Sequence, residues 1–272
     1  MPKIAKQTRI DHRSNELKTD KSDVFFYLLI RSWNSFNNFD RCIDSVFAQT
    51  YHNFKVLYVD DCSNYSSKQK KYIKQKLKNH TVVFNKKKKW SIRNAYEITH
   101  KFAKNEDAVI FNLDGDDYLS NTNALRIVAK AYKESDCIYT YGNCTMEFEN
   151  TKEATSASRF DTYANTPYTT YEKNNNLFRK VPFRPLHPRT WSVKAFKKIP
   201  KKTFLDHNRE WLRYCEDMAI FFPLIEKYPT RVRTISEKLS TYVISRKNDA
   251  KLRLAETVRD EVFIRKFQSG KK

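Results

Sequence analysis

Apolar residues in the first half of the chain come in short unbroken runs, separated by segments of helical period. VFFYLLI (24–30), FKVLYV (54–59), TVVF (81–84) and DAVIFNL (107–113) are rich in β-branched and aromatic side chains, and each ends at polar residues. Runs of this kind mark strands covered on both faces, because neither side of the sheet meets water. Between the first two, Phe39, Cys42, Ile43, Val46 and Phe47 recur at i, i+3, i+4, i+7 and i+8, one apolar helical face. A lysine-rich helix is predicted over residues 66–78, and Ile92, Ala95, Tyr96, Phe102 and Ala103 mark a third. Ser120 or Asn121 can cap a fourth, whose apolar side is Leu125, Val128, Ala129 and Tyr132. The alternation predicts an α/β fold, a mainly parallel central sheet with helices on both faces, receiving ligands beyond the carboxyl ends of its strands.

The second half is less regular. DCIYTYGN and CTMEFE read as two strands around a turn, and residues 150–180 as a long polar loop. A helix is predicted over 191–198, and another from Glu216, bent at Pro223. KLSTYVIS reads as a late strand and 249–267 as a terminal amphipathic helix. No repeat or Pro/Gly linker divides the chain. The organisation expected is a polar arm over 1–22, a first half over 23–145, and a second half of the same domain over 146–272.

With 272 residues the chain suits one large domain, and no apolar stretch approaches the ~20 residues that span a bilayer. The N-terminus lacks the apolar segment of a signal peptide. The five cysteines (Cys42, Cys62, Cys137, Cys144, Cys215) form no CxxC pair, which argues against a zinc site and a disulfide framework. Free thiols in a reducing, cytoplasmic compartment are expected. Lys plus Arg outnumber Asp plus Glu by 52 to 31, a formal +21. Such a charge attracts nucleic acid, anionic membrane surfaces or acidic glycans, although runs such as Lys86–Lys89 also suit plain solvated loops.

Against that background IFNLDGDDYL (110–119) stands out, three carboxylates hinged on Gly115 at a strand end. A hard divalent cation relieves the repulsion of such a cluster, and Mg²⁺ commonly takes one or two carboxylates plus phosphate oxygens; a solvated acidic turn is the plainer alternative. A calcium EF-hand is excluded, since it needs Gly sixth and Glu twelfth, and counting from Asp114 those places hold Leu119 and Leu125. A polymerase GDD hairpin does not fit the parallel α/β order.

The stretches IRSWN, RCIDSVFAQTYHNFKVLYVDDCSN, SIRNAYEI and IFNLDGDDYL together resemble the N-terminal half of family 2 glycosyltransferases with the GT-A fold, over about residues 24–142. LHPRTWSVKAFKKI, CEDMAIFFPLIEK, ISEKLSTYVIS and NDAKLR resemble, more loosely, a soluble branch of these enzymes found in large viruses and phages. The resemblance implies a nucleotide-sugar-binding first half, a second half carrying the acceptor site and catalytic base, and dependence on Mn²⁺ or Mg²⁺. It places Arg31, Trp33 and Asp60 at the nucleotide base, with Trp33 where a tyrosine is more usual. Trp33 as a core aromatic, and Asp60 as a loop cap with Asp61 turned outward, are the structural alternatives. Arg93 falls near the nucleotide, or on a plain helix surface.

Asp116 falls as the most direct metal ligand, Asp114 at ribose or metal, and Asp117 as loop support. Asp217, beside Glu216, matches the general base of an inverting displacement; helix starts also collect acids for their own stability. His187, Arg189 and Arg246 are candidates for phosphate or acceptor contact, Lys247 beside the last, with a structural histidine the alternative for His187. A UDP-sugar donor and a glycan or glycosylated-protein acceptor follow from the family. The +21 charge, with Tyr163, Tyr168 and Tyr171, adds hydroxymethylated DNA as a second acceptor class. A non-catalytic nucleic-acid-binding protein on a degenerate transferase fold is the third reading.

Overall fold

The computed structural model describes residues 23–149, 154–156, 163–244 and 253–266. The arm read over 1–22, part of the loop over 150–180, and Arg246 with Lys247 lie outside them. At the centre is β1 (Phe26–Ser32), buried along its whole length. It pairs in parallel with β2 (Phe54–Asp60) and β4 (Val109–Asp114), and β3 (Thr81–Phe84) extends the ladder beyond β2. Side chains alternate across a strand, so Phe26, Leu28 and Ile30 face one side of the sheet and Tyr27 and Leu29 the other. The first side is covered by α1 (Phe36–Phe47), α2 (Ser67–Lys76) and α4 (Ala124–Glu134), through Phe39, Ile43, Ile73, Leu125 and Val128. The second is covered by α3 (Trp90–Phe102) and by helices of the second half. Each fully buried Leu, Ile or Phe in these layers contributes about 1.5–3 kcal/mol.

The sheet does not stop at β4. Its order is β3-β2-β1-β4-β8-β6-β9-β5, with β7 on the edge of β6. These are β5 (Tyr118–Leu119), β6 (Tyr139–Phe148), β7 (Ala154–Ser156), β8 (Arg189–Ser192) and β9 (Val232–Ile244). β8 runs antiparallel between β4 and β6, whereas β9 lies parallel to β6. One continuous sheet therefore passes through both halves of the chain. It is parallel at its core and mixed toward the C-terminal side. The second face receives α6 (Val193–Lys197) and α7 (Glu216–Lys227), where Phe221 and Phe222 are wholly buried. No helix among the described residues is long and apolar enough to cross a membrane.

Several expectations need correction. The two strands read around Gly142 are the single strand β6, because bulges at Tyr141–Asn143 and Asn143–Cys144 absorb the irregular pattern. The helix read over 191–198 begins as β8; only after Ser192, whose hydroxyl accepts from the Ala195 N–H, does the chain turn helical. Within the long loop sits α5 (Thr170–Asn174), closed by a Thr169–Glu172 capping box. Helix α4 starts at Ala124 without a side-chain cap, and Asn121 instead bonds the Asn123 amide. The last helix, α8 (Leu254–Lys266), buries Asp260 and Ile264 while Leu254, Val258 and Val262 stay exposed. Tyr168 is buried against Phe178 and Phe221 and offers no ring to a ligand; Tyr163 and Tyr171 are exposed.

Candidate active site

Parallel register delivers the candidate residues to one edge. Arg31 lies opposite Asp114, and Ser32 opposite Asp60. The backbones nearly touch there: Gly115 N–H donates to the Arg31 carbonyl at 2.7 Å, and a Cβ on Gly115 would lie 2.9 Å from Ser32 Cβ. Only glycine fits this approach, which explains why one of three glycines stands inside the acidic knot.

The Arg31 side chain is buried and bridges two carboxylates. Its Nη2 donates to Asp114 Oδ1 at 2.7 Å, and its Nη1 to Glu216 Oε2. This guanidinium is enclosed by acids rather than held open for a base. Its charge joins the end of β4 to the start of α7, where the Glu216 side chain is 7% exposed. Burial raises the Glu216 carboxyl, although Arg31 and Arg189 pull it down. Next along α7, Asp217 Oδ2 accepts from Arg189 Nη1 at 2.9 Å and Oδ1 from the Met218 N–H; its side chain is 26% exposed. Both acids lie in the first turn of α7, where the positive end of the helix favours them.

A second cluster lies beneath. Ligand atoms of Asp114, Asp117 and His187 fall within 4.8 Å of one another. Asp117 Oδ1 accepts from the Val243 N–H at 2.9 Å, while its buried Oδ2 has no hydrogen-bond partner among the described residues and lies 3.6 Å from His187 Nδ1. Burial, with the charges of Asp116 and Asp114, holds the Asp117 carboxyl well above its usual range. His187, stacked on Tyr242, is pushed down to about 3 by burial and Arg189, so the imidazole is neutral with a lone pair available. Asp116 sits half-buried beside them, its carboxyl raised to about 6 by burial and by Asp114. Burial also raises Asp114, but the charges of Arg31 and Arg189 bring it below the ordinary value. Carboxylates plus a neutral imidazole suit a divalent ion such as Mn²⁺ or Mg²⁺, and the orphaned Asp117 oxygen marks where charge is missing.

Around this centre runs a rim. Asp60 is buried; its Oδ2 accepts from the Ser63 N–H at 3.1 Å and its Oδ1 has no hydrogen-bond partner among the described residues. Asp61 is not turned outward, as the loop-cap alternative for Asp60 would have it. It is buried and accepts from the Lys89 and Trp90 N–H groups at 2.8 Å each, holding the start of α3. Trp33 is no core residue; it is 42% exposed with Lys88 Nζ 3.2 Å from its ring centre. Arg93 points along α3 to Glu97, 2.6 Å away, and the carboxylate cluster does not include it. Asn34, Cys62, Trp90 and Cys215, all with φ between 54° and 65°, occupy turns of this rim in the left-handed region that glycine normally fills. Asp260 of α8 was missed by sequence reasoning. Its Oδ2 accepts the N–H groups of Arg213 and Tyr214 at 3.0 Å, just before Cys215 and Glu216, and an acid amid KLRLAETVRDEV carries no local signal of that duty.

Residues 27–200 match the model of the family described as Glycosyl transferase family 2. No curated protein matches the sequence significantly. Among solved structures, S. aureus TarS 1–349 superposes with a TM-score of 0.55 at 18% identity, over 81% of this chain and 60% of that one. GalNAc-T7, solved with UDP, GalNAc and Mn²⁺, gives 0.56 at 17% identity, over 83% and 45%. The mannosyltransferase PcManGT from Pyrobaculum calidifontis, solved with GDP-Man and Mn²⁺, gives 0.55 at 13%, over 88% and 62%. The chain thus spans between about two fifths and two thirds of the length of the structures it matches. These likenesses establish the GT-A arrangement of sheet and helices.

Proposed function

Because the chain belongs to glycosyl transferase family 2, we propose that it is a metal-dependent, inverting transferase. It moves a sugar from a nucleoside-diphosphate donor, a UDP-sugar, to a hydroxyl of a glycan or glycosylated protein. The observation that carries this reading is the convergence of the β4 carboxylates and the α7 acid pair on one edge of the sheet, joined through Arg31. Residues 23–145 form the donor side and residues 146–272 supply the acceptor side of the same domain. Asp114 and Asp116 would hold the metal ion; Asp114 also shares with Asp117 and His187 the group whose ligand atoms lie within 4.8 Å of one another, to which Asp116 does not belong. When bound, the ion neutralises charge on the departing diphosphate.

The chain's own groups do the rest. Asp60 offers its unpartnered Oδ1 to an N–H of the base, and Trp33 gives the base a face to stack on. Arg189 fixes Asp217 by one oxygen, which orients the carboxylate to take the proton of the acceptor hydroxyl as the new C–O bond forms on the face opposite the leaving group. Arg31 acts by positioning: it holds Asp114 and Glu216, and with Glu216 the first turn of α7. Five cysteines without disulfide partners suit a reducing, cytoplasmic compartment.

The test is release of free nucleoside diphosphate from a panel of UDP-, GDP- and CDP-sugars with Mn²⁺. Release from one donor is expected, lost in Asp114→Asn. In Asp217→Asn turnover should fall by a factor of 10² or more while donor binding, read by calorimetry, survives. If no donor is turned over and none raises the melting temperature, the transferase reading fails.

A further inference from the structure

From Cys62 to Tyr96 the chain contains eleven Lys or Arg and no Asp or Glu; all 31 acids lie elsewhere. The fold gathers these cations into a band. On α2, Lys70 and Lys74 stand one helical turn apart, and both place Nζ 5.8 Å from the ring of Phe84 at the end of edge strand β3. The chain continues through exposed Lys86 and Lys87 to Lys88, whose Nζ lies 3.2 Å from the Trp33 ring and 4.2 Å from that of Trp90. Arg213 and Arg253 close the band at 5.5 Å from Trp90.

Acids of neighbouring elements leave most of its lysines without an ion pair among the described residues, although the Asp60 carboxylate attracts Lys70 from beyond ion-pair distance. Asp40 and Asp44 of α1 both bind Lys76, at 2.5 and 2.7 Å, and Glu97 binds Lys89 and Arg93. Asp61 is buried and occupied by backbone amides. Lys70, Lys71, Lys74, Lys86 and Lys87 have no carboxylate within ion-pair distance among the described residues. A lone lysine is ordinary surface; a row of uncompensated ones is a repulsion that a polyanion relieves by releasing its counterions.

We propose that this band binds the phosphate backbone of a single-stranded nucleic acid. Between α2 and Lys88 its cations are lysines, point charges suited to tracking a backbone without fixed fork geometry. One exposed aromatic, Trp33 at its inner end, is 42% exposed and able to stack on an unpaired base. The lysines of the band lie outside the groups assigned to the donor and only Trp33 is shared, so the band is tested without donor or metal.

The experiment is fluorescence anisotropy of a labelled 20-nucleotide oligothymidine titrated with the full chain between 50 and 300 mM salt. Binding with a steep salt dependence is expected. The K70Q/K71Q/K74Q variant should bind at least tenfold more weakly, and the slope of log K against log salt should flatten by about 2, since each lost phosphate contact removes about 0.7. K130Q/K133Q on α4 should bind as the wild type does. Equal melting temperatures keep the comparison free of folding effects. Wild-type affinity in the triple variant overturns the proposal. So does tighter binding of duplex DNA, heparin or phosphatidylserine vesicles at the same ionic strength.

Discussion

Replacing Arg31 with methionine keeps much of the side-chain volume and removes one charge from between Asp114 and Glu216. Both the guanidinium and Glu216 are buried, at 7% side-chain exposure each, so water cannot substitute for the lost partner. Removing one member of such a pair typically costs about 3–5 kcal/mol, because the other charge is left buried and alone. For a chain of this size 1 kcal/mol moves the melting temperature by about 2–4 °C, so a fall on the order of 10 °C follows. The assay is thermal unfolding of wild type, Arg31→Met, Glu216→Gln and the double variant. Because the double variant leaves no orphaned charge at Glu216, it should regain at least about 1 kcal/mol relative to the sum of the single effects. An Arg31→Met cost below about 1 kcal/mol, together with additivity in the double variant, would refute the bridge.

Asp260→Ala leaves two backbone N–H groups beside the site without their acceptor. A loss of about 1–3 kcal/mol is expected by denaturant unfolding, and nucleoside diphosphate release should fall although no ligand group has changed. Gly115→Ala places a methyl 2.9 Å from Ser32 Cβ; backbone displacement should abolish turnover, and a variant with normal turnover would contradict the close approach. His80 accepts from the Val56 N–H at 3.2 Å between Phe47 and Phe54, and burial with nearby Lys55 lowers its pKa. A lowered folded pKa gives stability present above the unfolded value of about 6.5 and lost as pH falls below it. The stability advantage of wild type over His80→Asn should therefore shrink between pH 7.5 and pH 5.5, and an advantage constant over that range would count against it.

Strands β1 to β4 and the apolar faces of α1, α3 and α4 were legible because burial on both sides of a parallel sheet leaves a continuous local signature. The second half hid its plan. The β6 bulges interrupt the period of two, and β8 occupies residues whose neighbours read as helix. At the site, residue types were visible while their directions were not. Arg31 was read toward the nucleotide, yet it is turned by Glu216, 185 positions away in sequence. Asp60 and Asp61 are adjacent and chemically alike; the amides of Lys89 and Trp90 and the Asn85 side chain, brought up by the β3–α3 turn, decide that Asp61 faces inward. Arg93 had a legible competitor in Glu97, four residues on along the same helix. Asp117 and His187, 70 residues apart, meet only after β8 has been inserted beside β4.

The left-handed turns of the rim have a consequence for the cost of ligand capture. Glycine at such turns would leave them free to sample many conformations before a ligand arrived, and binding would have to freeze them. Here asparagine, cysteine and tryptophan occupy them, in a chain with three glycines in all. Side chains with a Cβ narrow the conformations open to the unfolded chain, and each strained turn costs about 1–3 kcal/mol in the folded one. The ordering of the rim is thus met once, when the protein folds. A ligand then meets walls already in place and keeps for affinity the free energy it would otherwise lose in organising them.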